Sequence, residues 1–338
     1  MKKHIYIYSP SSAVREKANF KRGVKRLEAL GHAVEIDEAA LAAHQRFAGD
    51  DDARLAAIHR AAASGADVAL ISRGGYGLSR ILHRINYKAV ARSAQKGMQW
   101  VGFSDFTALQ MALLAKTGAI SWAGPALTGD FGCAEMPDDI MEACFDDLVN
   151  GQGEGSGWQL PKPPALPDAG VVARKADFVI KDAVLWGGNL AILASLVGTP
   201  YLPQVKGGIL FIEDTGEHPY RIERMLTQLL HAGVLAQQKA IIFGQFNHYK
   251  AVPNDKGFKL QSVVAWLQSQ VKARVLTGLP FGHVPTKVLL PVGASVTLAT
   301  EGRDALIFWG HLGVGHAHHD HHHDHAHHHG DHGHHHHA

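Results

Sequence analysis

Short apolar segments alternate with amphipathic helical segments along the first 150 residues. Runs rich in β-branched and aromatic residues, bounded by turn residues, predict strands at 5–8, 33–36, 68–72, 99–103 and 120–123. Helices are predicted between these strands, and a last helix is predicted over 136–149. Continuous apolar character at 68–72 is typical of a strand that is buried on both faces. Repeated strand–helix units with short connections predict an α/β fold with a parallel, doubly wound sheet.

A segment rich in glycine and proline divides the chain into two predicted domains, 1–150 and 176–310. Residues 151–175 are interpreted as the linker, since they contain Pro161, Pro163, Pro164 and Pro167. The second domain is predicted to mix both kinds of element and to be β-rich towards its end, with strands at 208–212, 240–246, 275–277, 289–298 and 305–309 and helices at 218–232 and 260–271. Residues 311–338 form a low-complexity tail with most of the 25 histidines, and this tail is expected to be disordered without metal.

Composition agrees with a globular protein of two domains and excludes several classes of function. The chain has 338 residues, of which 46% are hydrophobic and 19% charged, and its formal net charge is +2. Basic residues are spread along the sequence, so no nucleic-acid-binding face is expected. Only two cysteines are present, the N-terminal apolar run is too short for a signal peptide, and no apolar run reaches about 20 residues. These features favour a cytoplasmic protein without membrane insertion.

Ser104 stands where a predicted strand passes directly into a predicted helix, in Gly102-Phe-Ser-Asp-Phe-Thr107. A turn of this kind projects a side chain from the carboxyl edge of the sheet, where open α/β folds bind ligands. The backbone N–H of Asp105, at the start of the helix, would point towards a developing oxyanion. The G-x-S-x-G pattern of a nucleophile elbow is only half met, because position 106 is Phe. The alternative is that Ser104 is an ordinary helix N-cap.

A second glycine-rich turn, Ser72-Arg-Gly-Gly-Tyr-Gly77, follows the preceding strand. Adjacent glycines allow close backbone approach and can turn N–H groups towards a ligand, so Gly75 could supply a second oxyanion donor. The alternatives are a purely structural turn or a dinucleotide-binding loop. The latter is disfavoured because Arg80 replaces its third glycine and no acidic residue follows before Trp100.

A serine nucleophile needs a general base and an acid that orients it. Glu213 ends the apolar strand Ile209-Leu-Phe-Ile212, and His283 follows a predicted strand in a loop stiffened by glycine and proline. The order serine, acid, histidine is that of α/β-hydrolases, which is weak support on its own. Alternatives remain open for both roles: Glu217, Glu223, His218 and His248.

Five blocks of sequence, in order from about residue 4 to 310, resemble the LD-carboxypeptidases, the murein tetrapeptide carboxypeptidases. They are Ser72–Gly77, Gly102–Thr107, Leu185-Trp-Gly-Gly-Asn-Leu190, Ile212-Glu-Asp with Glu217-His-Pro-Tyr-Arg-Ile-Glu-Arg-Met225, and Phe281-Gly-His283. The resemblance implies a flavodoxin-like N-terminal domain with a parallel sheet and a smaller β-rich C-terminal domain. It further implies Ser104 as nucleophile, Glu213 as acid, His283 as base, and the N–H groups of Gly75 and Asp105 as oxyanion donors.

The activity that the resemblance implies is release of the terminal D-alanine from muropeptide tetrapeptides during cytoplasmic cell-wall recycling. No cofactor and no active-site metal are expected, and members commonly form homodimers. For the substrate, Arg73 and Arg221 are candidates to bind the terminal carboxylate, or else they form structural ion pairs. Trp186 and Asn189 are candidates to line the peptide cleft, with core packing as the alternative for Trp186.

Two other functions are considered beside this one. A related branch, the microcin-immunity peptidases, uses the same triad on peptidyl-nucleotide toxins. A non-enzymatic alternative is metal storage or delivery through the tail, whose imidazoles could bind Ni²⁺, Zn²⁺ or Cu²⁺, for example at His316, His318, His319 and His321.

Overall fold

The computed structural model describes residues 2–162 and 177–312. Up to Asn150 the strands are β1 (His4–Tyr8), β2 (Ala33–Ile36), β3 (Val68–Ile71), β4 (Gln99–Gly102) and β5 (Ser121–Ala123). The helices between and after them are α1 (Lys17–Ala29), α2 (Asp51–Ala63), α3 (Tyr87–Gln95), α4 (Thr107–Thr117) and α5 (Asp139–Asn150). Most of the tail predicted at 311–338 and most of the predicted linker lie outside the described residues.

The described chain from Gly155 onwards contributes more strand than helix. Its strands are β6 (Gly155–Gln159), β7 (Phe178–Asn189), β8 (Ile209–Thr215), β9 (Ala240–Asn247), β10 (Arg274–Leu276), β11 (Leu290–Val292), β12 (Ser295–Glu301) and β13 (Asp304–Phe308). Its helices are α6 (Leu190–Ser195), α7 (Pro219–His231) and α8 (Leu260–Gln270).

The first sheet has the strand order β11-β5-β4-β3-β1-β2, and β1 to β5 are mutually parallel. The order of these five strands is that of flavodoxin-like folds, whose ligands bind beyond the carboxyl ends of the strands. All four residues of β3 are buried, as the continuous apolar run predicted. The predicted α/β fold class is thereby confirmed.

The second sheet has the order β10-β9-β8-β7-β12-β13-β6. Strands β7 to β10 are parallel, whereas β7 pairs with β12, β12 with β13 and β13 with β6 in antiparallel fashion. Ser104 follows the carboxyl end of β4 in the first sheet, and Glu213 lies near the carboxyl end of β8 in the second. No helix in the described parts of the chain combines the length and apolarity needed to cross a membrane.

Two strands cross between the parts of the chain. β11 follows the second sheet's parallel strands in sequence but pairs antiparallel with β5 at the edge of the first sheet. β6 lies within the predicted linker 151–175 but pairs with β13 at the edge of the second sheet. The part of the predicted linker at Gly155–Gln159 is therefore a strand rather than a loop. Its three-residue span Gly-Ser-Gly carries no strand signal, and pairing with β13 supplies the order that the local sequence does not.

Candidate active site

Ser104 lies directly beyond the carboxyl end of β4, at a sharp turn into helix. Its backbone φ is 63°, a left-handed conformation that is uncommon for residues other than glycine. A short 3₁₀ turn, Ser104–Phe106, follows and leads without interruption into α4. Strained conformations of this kind cluster at functional sites, and a strand–turn–helix with a strained serine is the structural form of a nucleophile elbow.

Glycines allow the turn to pack tightly. A Cβ atom on Gly74, in the neighbouring loop, would lie 2.7 Å from Ser104 Cβ and 2.9 Å from Ser104 Oγ. A Cβ atom on Gly102 would lie 2.8 Å from side-chain atoms of Ile71 and Phe106. Phe106, which occupies the position of the second glycine in the usual elbow pattern, is 1% exposed and packs in the core. The close approach on the open side of Ser104 is instead made possible by Gly74.

Glu213 is supplied by the strand β8 of the second sheet. Its carboxylate is completely buried. The register between β8 and β9 shifts between Ile212 and Asp214, and irregularities of this kind redirect a side chain. On the other side of β8, Asn189 of β7 is the residue paired with Glu213, and its Nδ2 donates to Glu213 Oε1 at 3.2 Å. The carboxylate is thus held by its neighbour in the sheet.

His283 connects the two side chains. Its Nδ1 lies 2.7 Å from Glu213 Oε2, and its Nε2 lies 3.2 Å from Ser104 Oγ. Gly282 has φ 138°, and a Cβ atom there would lie 3.2 Å from Glu213 Oε2, so glycine permits the loop to approach the acid. The structure therefore brings together residues that lie 70 positions apart in sequence, for Glu213 and His283, and 179 positions apart, for Ser104 and His283. Such a hydrogen-bonded serine, histidine and carboxylate can activate a hydroxyl as a nucleophile.

The loop that carries His283 is fixed by buried polar contacts. Asn247 Nδ2 donates to the backbone carbonyl of His283 at 2.7 Å. Lys287 is 1% exposed; its ammonium pairs with the Asp130 carboxylate and donates to the Val284 carbonyl at 2.8 Å. Since Asp130 follows β5 of the first sheet, this ion pair ties the histidine loop to the opposite half of the molecule.

Two backbone N–H groups adjoin Ser104 and are free to bind an oxyanion. Gly75 has φ 109°, which places its N–H in an orientation that other residues rarely adopt. Asp105 N lies 3.4 Å from the position of a Cβ on Gly74, so the two segments are in close contact. Among the described residues, neither the Gly75 N–H nor the Asp105 N–H donates a hydrogen bond. Pairs of backbone N–H groups beside a nucleophile that donate no other hydrogen bond are the elements of an oxyanion hole.

The Asp105 side chain supports the glycine loop from below. Its Oδ2 accepts a hydrogen bond from Leu78 N at 3.0 Å, while Arg54, completely buried, donates from Nη1 to the Gly77 carbonyl at 2.7 Å. Burial raises the pKa of the Asp105 carboxyl, and the Leu78 N–H and the Arg54 charge oppose that rise. The backbone on either side of the two candidate donors is thus anchored by buried groups.

Comparison with known proteins identifies the family. Residues 5–124 match the LD-carboxypeptidase N-terminal domain, and residues 182–298 match the LD-carboxypeptidase C-terminal domain. A probable murein peptide carboxypeptidase of Bacillus subtilis is 30% identical over 282 residues, which cover 83% of this chain and 84% of that protein. The chain belongs to the LD-carboxypeptidase family. A putative carboxypeptidase of Synechocystis is 31% identical over 297 residues, covering 86% of this chain and 90% of that protein.

Solved structures agree with this LD-carboxypeptidase assignment. The muramoyltetrapeptide carboxypeptidase from Oxalobacter formigenes is 35% identical, with a TM-score of 0.79 over 91% of this chain and 98% of that one. A microcin C7 self-immunity protein has the same TM-score of 0.79 over 93% of this chain and 98% of its own, but only 22% identity, so this likeness concerns the fold alone.

Trp186 and Asn189, which were predicted to line the peptide cleft, are both buried in this LD-carboxypeptidase family member. Trp186 is 1% exposed, and its indole N–H donates to Gln238 Oε1 at 2.9 Å, so the prediction is wrong and the ring belongs to the core. Asn189 is 6% exposed, and its amide is used by the Glu213 and Asp214 carboxylates. Its contact is with the acid rather than with the cleft. The burial of Trp186 and Asn189 could not be predicted from the sequence, because Gly187 and Gly188 between them are not typical of a strand.

The two arginines predicted to bind a carboxylate differ in their surroundings. Arg221 is exposed on α7 and forms an ion pair with Glu217, which is the structural alternative considered above. Arg73 is half-buried beside the glycine loop, and its Nη1 donates to the Ala13 carbonyl at 3.2 Å. Arg73 is therefore the one of the two that lies next to Ser104.

Several supporting residues were not found by sequence reasoning. Lys287, Asp130 and Arg54 are charged residues in the protein interior, and no local pattern distinguishes a buried charge from a solvated one. No group of three or more histidine, cysteine, aspartate or glutamate side chains in the described parts of the chain is arranged to hold a metal ion. The tail histidines His316, His318, His319 and His321 lie outside the described residues.

Proposed function

We propose that this protein hydrolyses the peptide bond before the terminal D-alanine of a muropeptide tetrapeptide, with Ser104 as the nucleophile. The observation that supports this most directly is the continuous contact Ser104 Oγ–His283 Nε2 and His283 Nδ1–Glu213 Oε2, at 3.2 and 2.7 Å. The family assignment supplies the class of reaction, and the relatives named as murein peptide and muramoyltetrapeptide carboxypeptidases supply the class of substrate.

In the proposed mechanism, His283 Nε2 accepts the proton of Ser104 as Oγ attacks the carbonyl carbon. Glu213 holds the imidazole through Nδ1 and stabilises the imidazolium that forms. The N–H groups of Gly75 and Asp105 bind the oxyanion of the tetrahedral intermediate. His283 then gives its proton to the leaving amine, D-alanine departs, and a water molecule attacks the acyl-enzyme with His283 again as the base.

The oxyanion donors and the nucleophile are expected to contribute differently to kcat. Removing one oxyanion donor in a comparable site lowers kcat by about 10²–10³, and removing the nucleophile of a well-studied triad lowers it by about 10⁶. Each backbone donor therefore contributes less than the nucleophile itself, and Ser104 is the most informative residue to change.

Further parts of the proposal rest on the family resemblance and on the sequence. The proposed role is cell-wall recycling in the cytoplasm, and the proposed assembly is a homodimer. The histidine-rich tail is proposed to bind Ni²⁺, Zn²⁺ or Cu²⁺ without taking part in hydrolysis. Fractionation of the native cell, light scattering on purified protein and metal titration test these three points separately.

The activity is tested by incubating wild type and Ser104→Ala with a tetrapeptide that contains L-Lys or meso-diaminopimelate and ends in D-alanine. Release of D-alanine is followed with EDTA present. Ser195→Ala is a matched control, since the Ser195 hydroxyl is exposed and donates only to the Ile192 carbonyl of its own helix. We expect release by wild type and by Ser195→Ala, and none above background by Ser104→Ala.

Other outcomes would redirect the proposal. Equal release by wild type and Ser104→Ala would remove Ser104 as the nucleophile. No release by any of the proteins would favour a peptidyl-nucleotide substrate, which is tested next with an aminoacyl sulfamoyl nucleoside of the kind bound in the structural neighbour.

A further inference from the structure

Three chain segments are joined next to the glycine loop, and each carries an arginine. Ala13 N donates to the Arg46 carbonyl at 3.0 Å, and Ser12 N donates to the Gly74 carbonyl at 3.4 Å. Ser12 Oγ also accepts a hydrogen bond from Tyr76 N at 3.0 Å. The segments at 12–15, at 46 and at 73–76 therefore form one connected surface, and Arg15, Arg46 and Arg73 all belong to it.

The three guanidinium groups have no acidic partner within the part of the chain that the structure describes. Arg73 donates one hydrogen bond to a backbone carbonyl, and the Arg46 guanidinium lies 5.7 Å from the centre of the Tyr76 ring. Other arginines do pair with carboxylates: Arg54, Arg60, Arg80, Arg84 and Arg221. Burial lowers the pKa of Arg73, and the positive charges of Arg15 and Arg46 lower it further.

Like charges that are held together without a counter-charge make an attractive place for an anion. The anion would lie close to the reaction. Arg73 Nη2 is 3.8 Å from the position of a Cβ on Gly75, the proposed oxyanion donor, and a Cβ on Gly74 would lie 2.9 Å from Ser104 Oγ. With one N–H of Arg73 used by the Ala13 carbonyl, four of its five N–H donors are left for a ligand.

The geometry of a peptide terminus fits this arrangement. In the last residue of a peptide, the carboxylate carbon is separated from the scissile carbonyl carbon by the amide nitrogen and one Cα. A substrate whose carbonyl oxygen lies on the Gly75 N–H therefore brings its terminal carboxylate within reach of the neighbouring guanidinium. Planar guanidinium groups bind carboxylates in a bidentate manner and remain charged at all physiological pH values.

We propose that Arg73, flanked by Arg15 and Arg46, binds the terminal carboxylate of the leaving residue and so restricts the enzyme to the ends of peptides. This inference rests on the proposed function, because it assigns the carboxylate subsite of that same reaction. A substrate without a free carboxylate would leave the three positive charges uncompensated, so the site selects against internal bonds.

The test compares two tetrapeptides of one sequence, one ending in D-alanine and one in D-alanine amide. Values of kcat/KM are measured for both with wild type, Arg73→Gln and Arg73→Lys, and the amide is also measured as a competitive inhibitor. Arg92→Gln is the matched control. Arg92 is near the end of α3, which leads into the amino end of β4, at the opposite edge of the sheet from Ser104.

We expect wild type and Arg92→Gln to prefer the free acid. In Arg73→Gln that preference falls about 10- to 100-fold, the magnitude of a charge-assisted hydrogen bond. The loss is confined to the free acid, while turnover or binding of the amide is retained and shows that the variant is folded. Arg73→Lys keeps the charge but not the bidentate geometry and recovers part of the preference.

Two results would overturn the proposal in distinguishable ways. An Arg73→Gln protein that hydrolyses the free acid with the wild-type preference over the amide would exclude the subsite and leave the proposed function intact. A wild-type protein that releases nothing from either peptide would overturn the proposed function, and the subsite with it.

Discussion

Ser104 has a left-handed backbone and a neighbour, Gly74, that cannot be enlarged without contact. The φ of 63° is uncommon for a residue other than glycine, and the 2.9 Å from Oγ to the position of a Cβ on Gly74 leaves no room for a methyl group. The same glycine precedes the proposed oxyanion donor. A Cβ atom at position 74 would therefore displace Ser104 from its present position relative to the Gly75 N–H.

Gly74→Ala is expected to lower kcat/KM by about 10²-fold or more, because a displacement of about 1 Å at a reacting group has this effect. Gly129→Ala is the control, since a Cβ at Gly129 meets no atom within 4 Å. Steady-state kinetics and urea unfolding are measured for both variants. A Gly74→Ala enzyme with wild-type kcat/KM would show that Ser104 does not need its present position.

Glu213→Gln is expected to lower kcat by about 10⁴-fold with little change in the fold. The amide of glutamine can donate to His283 Nδ1 and so stabilise the tautomer that cannot accept the serine proton. Glu217→Gln is the matched control, because Glu217 pairs with Arg221 on α7 and does not contact His283. A loss in Glu213→Gln no larger than that in the control would remove Glu213 from the proposed triad.

Asp214, beside Glu213, gives the stability of the protein a pH dependence of its own. Burial, opposed by hydrogen bonds from Thr215 and Ala191, raises the pKa of this carboxyl from 3.8 to about 6. The folded protein thus binds the proton more tightly than the unfolded chain. The contribution of Asp214 to stability is greatest below about pH 4 and declines as the pH rises through about 6, by roughly 3 kcal/mol in all.

Asp214→Asn removes this titration. Urea unfolding of wild type and variant at pH 4 and pH 7 is expected to show that the wild type loses roughly 2 kcal/mol relative to the variant between the two pH values. A difference in free energy of unfolding that does not change with pH would mean that the Asp214 carboxyl titrates as an ordinary aspartate.

Residue types were easier to predict than residue environments. The proposed serine, acid and histidine each stand at the end of an apolar strand or in a stiff loop, which the sequence displays. Trp186 and Asn189 stand in equally suggestive sequence, but whether a side chain faces a cleft or the core depends on what packs against β7. That packing involves β8 and α4: Asn189 N donates to Thr107 Oγ1 at 3.0 Å.

The loop that carries His283 owes its position to contacts with other elements rather than to its own sequence. The buried ion pair between Lys287 and Asp130 joins this loop to the segment after β5, and the Lys287 ammonium also lies 4.7 Å from the centre of the Phe103 ring. Phe103 in turn lies 4.9 Å, between ring centres, from His283. The loop is therefore expected to respond to changes on the opposite sheet.

Lys287→Met is expected to destabilise the protein by about 3–5 kcal/mol, because it leaves the Asp130 carboxylate buried without a positively charged partner. In the double variant Lys287→Met/Asp130→Leu the unpaired charge is removed, and most of the stability should return. Urea unfolding gives both values, and kcat measured on the same samples reports on the histidine loop. A loss below about 1 kcal/mol in Lys287→Met would show that the pair is solvated.

Elements with strong local patterns were predicted closely, and elements without them were missed. Strand β9 and helix α8 were predicted to within a residue at each end. Strand β7 was not predicted, since its sequence combines charged residues at Lys181 and Asp182 with Gly187 and Gly188. Its order comes from pairing with β8 on one side and β12 on the other, which are partners distant in sequence.

The histidine-rich end of the chain can be separated from the rest. Near the end of the described residues, the Trp309 indole N–H donates to the Gly153 carbonyl at 2.8 Å, and His311 lies 2.7 Å from Glu154 Oε1. Both precede the segment from 313 onwards. A protein ending at Leu312 is therefore expected to retain its contacts and its kcat/KM, while binding of Ni²⁺ is lost.

Calorimetric titration with Ni²⁺ and D-alanine release, measured on the full chain and on the shortened one, check this expectation. Loss of hydrolysis on removal of 313–338 would assign the tail a part in the reaction. Undiminished Ni²⁺ binding by the shortened chain would locate the metal elsewhere.

The α/β class of the molecule could be predicted from its sequence. The pairing of β11 with the first sheet could not. Alternation of strands and helices up to Ala123 was sufficient to predict a parallel sheet, since it follows from local periodicity. That Leu290–Val292 completes this sheet depends on a pairing across about half of the chain, for which a three-residue strand carries no signal.

The pairing of β11 with β5 also affects when the protein can become active during its synthesis. A nascent chain that has left the ribosome as far as α5 exposes the edge of β5, because β11 has not yet been made. His283 precedes β11 by only a few residues, so the proposed base and the strand that closes the sheet emerge almost together. An incomplete translation product would therefore hold Ser104 without its proposed base, and this LD-carboxypeptidase family member would remain inactive until its folding is nearly finished.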